Sequence, residues 1–135
     1  MESEIEGWLR AFAQAVRDQD YAAGSALFAP EIVAFGTVAD RADGIDALVA
    51  RQWRVVWETT SGFEFDYASL RCERHGDRAW AASAWSSVAT RGLTPGRRRT
   101  GRASLVLARE DRGVAPRSCW RAIHSHFSLT PTGDV

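Results

Sequence analysis

Near residue 62 the spacing of apolar side chains changes from 3.6 residues to two, and that switch restricts the chain to few folds. Before it, Ile5, Trp8, Leu9, Phe12 and Val16 recur at helical spacing, and so do Ile45, Leu48, Val49, Trp53, Val56 and Trp57. After it, Phe63, Phe65 and Tyr67 alternate with Glu64 and Asp66, the pattern of a strand with one covered face. Helices first and strands after is the order of an α+β domain, not of an alternating α/β one.

The local signals set the expected boundaries. Ser3 and Glu6 form a capping box that opens a helix running to about Asp18. Asp20 caps a short second helix, Tyr21 to Phe28, which Pro30 ends. Ile32 to Val38 reads as a strand with Gly36 as its weak point, and Asp43 caps a third helix that stops within Thr59-Thr60-Ser61-Gly62. Four long strands follow: Phe63 to Arg71 or beyond, Arg78 to Thr90, Arg102 to Arg109 and Cys119 to Pro131. His75-Gly76-Asp77, Arg91 to Gly101 and Glu110 to Pro116 supply the turns. The expectation is a curved antiparallel sheet wrapped around three N-terminal helices, a cone with an internal pocket, built as one domain over residues 1–135.

Composition excludes several function classes. The 17 basic and 17 acidic residues cancel, so no overall field draws the chain to nucleic acid or to anionic lipid. The one basic run, Arg97-Arg98-Arg99, sits between Pro95-Gly96 and Gly101 and is expected in a solvated loop. The acidic start Met1-Glu2-Ser3-Glu4 matches neither a secretory signal nor a transit peptide, and no apolar run approaches a membrane span, which makes the cytosol the expected compartment. Cys72 and Cys119 are expected as reduced thiols, and no motif calls for a cofactor.

The last strand carries the titratable candidates. With a period of two, Trp120, Ala122, His124, His126 and Ser128 share one face, and Arg121, Ile123, Ser125, Phe127 and Leu129 share the other. His124 and His126 are the candidate acid and base, because imidazole gives or takes a proton near neutral pH. The competing reading has both hydrogen-bonded within the sheet or an interface. A third has His-x-His joined by Glu64 or Asp66 as metal ligands, but spacing fixes no third ligand, and no metal is expected. Arg102 opens a strand and either reaches solvent or turns its guanidinium into a pocket, where it would hold a carboxylate.

Ala26-Leu27-Phe28-Ala29-Pro30, Phe35-Gly36-Thr37, Asp43-Gly44-Ile45-Asp46-Ala47-Leu48 and the run from Trp120 into His124-Ser125-His126-Phe127-Ser128 together resemble SnoaL-like proteins. These belong to the nuclear transport factor 2-like superfamily, with ketosteroid isomerase and the association domain of calcium/calmodulin-dependent kinase. The resemblance implies a pocket between sheet and helices and a homodimer formed through the sheet. It puts Phe12 where the isomerase has its oxyanion-hole tyrosine, and Phe35 or Gly36 where it has its aspartate base. The second oxyanion-hole acid would fall near Arg102 to Leu105, where no carboxylate stands, so steroid isomerase chemistry is disfavoured.

The same analogy turns Trp85, with Ser83 and Ser87 on its face, toward the pocket, and Trp80 away from it. It also turns Ser125 and Phe127 inward and the two histidines outward, against their acid–base role. The expected ligand is an apolar, ring-shaped small molecule held by Trp8, Phe12, Trp53, Trp57, Trp85 and Phe127, with Arg102 for an acidic group. Isomerase, dehydratase and cyclase chemistries stay open on such a pocket. The alternative is a non-catalytic module whose function is dimerisation, with the Trp side chains plugging the cone.

Overall fold

In the computed structural model, which describes residues 3–92, 94–111 and 118–133, helix α1 spans Glu4–Asp18. Ser3 caps it by accepting from the Glu6 amide at 3.0 Å, and the apolar stripe Ile5, Trp8, Leu9, Phe12 and Val16 is buried, as its spacing requires. Asp20 caps α2 (Tyr21–Ser25) through the Ala23 amide. That helix stops before Phe28, and β1 (Phe28–Phe35) begins earlier than expected and includes Pro30. The proline is tolerated because the pairing register breaks between Phe28 and Val33, where a missing N–H costs no ladder bond.

The two-residue β2 (Ala42–Asp43) pairs with β1 and leads into one helical run. It comprises α3 (Ile45–Leu48), a π-helical turn over Val49–Trp53, and α4 (Arg54–Trp57). The wide turn brings Gln52 as well as Trp53 to the buried side. The strand expected from Phe63 to Arg71 is split into β3 (Thr60–Phe65) and β4 (Arg71–His75). Between them the chain folds back on Asp66 and Ser69, whose backbone and side chain bond Ala84. Then come β5 (Arg78–Ala89), β6 (Arg98–Asp111) and β7 (Ser118–Leu129). The turn expected over Glu110 to Pro116 lies, past Asp111, outside the described residues.

The strand order is β2-β1-β7-β6-β5-β3, with β4 also on β5. Neighbours from β7 to β3 are antiparallel, but β1 runs parallel to β7, so the sheet is mixed where an antiparallel one was expected. That contact joins residues about ninety positions apart, beyond the reach of any local turn signal. The helices lie on the inner face of the curved, unclosed sheet. Phe12 is central to the packing, with Phe28 at 5.3 Å, Trp53 at 5.7 Å, Trp57 at 5.9 Å and Phe127 at 5.9 Å between ring centroids. Cys72 and Cys119 are free thiols, and among the described residues no helix is long and apolar enough to cross a membrane.

Candidate functional site

A cavity of about 160 Å³ remains between the helices and the sheet. Its apolar walls come from Phe12 on α1, Trp53 and Trp57 on the helical run, Phe63 on β3, Trp85 on β5 and Phe127 on β7. Trp53 and Trp57 stack at 4.5 Å, and Tyr21 stacks on Trp57 at 5.1 Å, so one wall is a pile of three rings. Gly24 makes that pile possible: a Cβ there would come within 2.8 Å of Trp57 Cη2. At the rim stand Val38 and Leu129, both more than half exposed.

The polar groups in the lining are few. Gln52 is buried, and its Oε1 accepts from the amides of Val38 at 2.9 Å and Ala39 at 2.7 Å, while its Nε2 donates to Thr37 Oγ1 at 2.9 Å. It thereby fastens the 36–39 loop over the helical run, and Gly36 permits the approach, since a Cβ there would lie 2.5 Å from Gln52 Oε1. Ser87 and Ser125 are buried wall residues. Trp85 is 7% exposed and its Nε1–H has no hydrogen-bond partner among the described residues. Arg99 is the one charged side chain lining the cavity among the described residues.

Five of the expected ligand-binding residues, Phe12, Trp53, Trp57, Trp85 and Phe127, therefore meet around one cavity. Trp8 does not reach it: its ring stacks behind Phe12 at 5.6 Å, and its Nε1 donates to the Leu27 carbonyl at 3.0 Å. Arg102 is also elsewhere. It is exposed on the outer face and donates to Ser128 Oγ at 3.2 Å, because β6 turns Ala103 and Leu105 inward and strand alternation sends residue 102 out. The same alternation carries Arg99 inward. The basic run is thus only partly a loop, with Arg98 and Arg99 inside β6.

His124 and His126 stand on the outer face, away from the cavity. The even alternation expected along β7 fails at a bulge: Leu107 pairs with Ala122, Val106 pairs with His124, and Ile123 is the extra residue. Trp120 and Ala122 stay on the inner side while the face changes for everything after them, so Ser125 and Phe127 point in. His124 Nδ1 lies 2.7 Å from the Val33 carbonyl oxygen, and Phe35 meets both imidazoles edge-on at 5.2 and 5.5 Å. The metal alternative also fails on topology. Glu64 on β3 is separated from β7 by two strands and is engaged by Arg17 and Tyr67. Among the described residues no three His, Cys, Asp or Glu side chains converge.

The shifted ionisations lie outside the cavity. Burial and then the hydrogen bond to Glu58 push the Tyr21 hydroxyl up to about 12, and burial with the bond to Glu64 raises Tyr67 further. Glu4 is held below the usual carboxylate value, chiefly by the Trp120 Nε1–H at 2.6 Å.

Sequence reasoning missed Gln52, Ser87, Ser125 and Arg99 as site residues. Gln52 sits four residues after Leu48 in an otherwise apolar stripe, and an amide there signals a buried polar duty. Ser87 and Ser125 follow from the faces already assigned to Trp85 and Phe127. Arg99 follows from carrying the alternation of Ala103 and Leu105 back through Gly101.

Comparison with known proteins places this geometry among others. A family model described as a SnoaL-like domain matches residues 5–132. A nuclear transport factor 2-like superfamily protein from Salmonella enterica serovar Typhimurium superposes with a TM-score of 0.78 at 22% identity, over 98% of this chain and 92% of that one. A protein of the same fold and unknown function from Pseudomonas putida gives 0.76 at 28% identity, over 98% and 89%. A ketosteroid isomerase-like protein from Erwinia carotovora atroseptica gives 0.71 at 19% identity, over 94% and 95%. No curated protein matches the chain.

Proposed function

The chain belongs to the SnoaL-like domain family, and on that premise we propose that its cone is a binding chamber for an apolar, ring-bearing small molecule. The observation that carries the reading is the aromatic cavity of about 160 Å³, bounded by Phe12, Trp53, Trp57, Trp85 and Phe127. Apolar cavities of about 150 Å³ take up benzene, so the enclosed part of this chamber has room for one ring. Binding without proton transfer fits the lining better than isomerase, dehydratase or cyclase chemistry. Among the described lining residues there is no Asp, Glu, His, Tyr or Cys to serve as general acid or base.

Toluene titrated calorimetrically into the protein tests the reading. Saturable binding to wild type that weakens at least tenfold in Ser125→Leu, whose added carbons occupy the chamber, is expected; no saturable binding by a folded wild-type protein refutes it.

The outer face of the sheet favours a second, compatible use. Trp80 is 40% exposed there, in register with Val106 and His124, and the next rung is Ala82, Ser104 and His126. An outer face with a protruding indole beside two imidazoles and several small side chains suits a second copy of the chain. Sedimentation velocity should then give a dimer that Trp80→Glu dissociates, and a wild-type monomer at tens of micromolar would remove the self-association reading.

A further inference from the structure

We propose that the chamber's ligand is a single-ring carboxylate, its ring among the aromatic walls and its carboxylate on the guanidinium of Arg99 beside the indole N–H of Trp85. This rests on the reading of the cone as a binding chamber and adds the polar half of the ligand.

Two donors inside the cone lack partners. The Trp85 Nε1–H is buried without an acceptor among the described residues, which in a folded interior is costly enough to call for a reason. Arg99 lines the cavity half-buried, and its side chain makes no hydrogen bond or ion pair with any described residue. The two lie together on the sheet. Ser87 pairs with Arg99 and Trp85 pairs with Gly101, so the indole and the guanidinium occupy diagonal positions on neighbouring inward rungs. Gly101 sets the arrangement: a Cβ there would collide with Cε2 and Cζ2 of Trp85, so that side of the ring rests on β6 at Gly101, two residues along the strand from Arg99.

The remaining lining tells what these donors await. No described carboxylate in the cavity neutralises Arg99 or repels an incoming anion. A guanidinium presents a fork that a carboxylate matches with two oxygens, whereas an amide or ketone offers one uncharged acceptor. The size of the cavity limits the apolar part to about one ring. Arg99 follows the Arg91–Arg97 connection, and Leu129 at the rim lines the same side, so the carboxylate sits toward the mouth and the ring goes deeper.

The test compares benzoate, benzamide and toluene on wild type and on Arg99→Met, with affinities from titration and the indole resonances followed by nitrogen–proton correlation spectra. Trp85→Phe assigns the resonance. Benzoate is expected to bind wild type about 10- to 100-fold tighter than benzamide, the worth of hydrogen bonding to a charged group. Arg99→Met is expected to erase that preference while toluene still binds saturably, and benzoate is expected to shift the Trp85 indole proton downfield. Equal affinities for benzoate and benzamide, with toluene still bound, overturn the carboxylate and leave the chamber standing. A benzoate preference that survives Arg99→Met overturns the role of Arg99. Failure of toluene as well overturns the chamber itself.

Discussion

Replacing Gln52 by Leu should destabilise the fold by an amount that can be worked out bond by bond. The amide takes two backbone N–H groups and gives one hydrogen bond to Thr37, all at 2.7 to 2.9 Å. Ala39 is 5% exposed, so its orphaned N–H loses about 1–3 kcal/mol. The side chain of Val38 is 57% exposed, so water can reach its amide, and the loss there is about 0.5–1.5 kcal/mol. The Thr37 hydroxyl can rotate toward solvent, and the better burial of leucine offsets roughly 1 kcal/mol. The sum is a destabilisation of about 0.5–3.5 kcal/mol, centred near 2, which for a chain of this size lowers Tm by about 2–13 °C. Urea unfolding gives the stability, and hydrogen exchange at Val38 and Ala39 reports whether the loop has come loose. A variant within about 0.5 kcal/mol of wild type, with unchanged exchange at those two amides, would show that Gln52 does not hold the 36–39 loop.

Three further outcomes follow from the packing and the ionisations. Phe12→Ala should cost about 3–5 kcal/mol by urea unfolding, because the ring contacts aromatic groups from both helices and sheet. Gly101→Ala drives a Cβ into Trp85 and into the Ser128 carbonyl, one of them backbone that cannot yield cheaply, and should lose about 1–3 kcal/mol while displacing the Trp85 indole resonance. In alkali, Tyr21 and Tyr67 ionise less readily folded than unfolded. Their contribution is therefore complete below the unfolded value near 10 and is lost as pH rises toward about 12 for Tyr21 and higher for Tyr67. Unfolding at pH 9 and pH 11 should show that decline, and the Tyr21→Phe, Tyr67→Phe double variant should flatten it.

The helical half was legible because capping and apolar spacing are local. Ser3, Asp20 and the stripe from Ile5 to Val16 behave as their sequence dictates, but Asp43 does not cap the third helix: it lies in β2 with its carboxylate on Arg41, and Gly44 precedes the helix without a side-chain cap. Phe12, Trp53 and Trp57 in the cavity were legible for the same reason, since size and periodicity send them inward, whereas Trp85 and Phe127 were placed there by the family resemblance. The departures arise where one inserted residue resets a phase. A bulge at Ile123 puts Ser125 in and the histidines out, whereas Gln52, in phase with Leu48, was passed over because it is polar. No period of two or 3.6 announces such an insertion. The β1–β7 pairing was hidden for a different reason: parallel strands so distant in sequence share no turn. Arg99 was obscured by its neighbours, because three arginines beside Pro95-Gly96 look like solvent even when one alternates into a wall.

The most direct test of the chamber is to map toluene onto the folded protein by chemical-shift perturbation. The account predicts saturable shifts at Ser87, Ser125, Phe127 and the Trp53, Trp57 and Trp85 indoles, with Trp80 on the opposite face undisturbed. Shifts centred on Trp80 and the outer face, or none at any lining residue at saturating toluene, would contradict it.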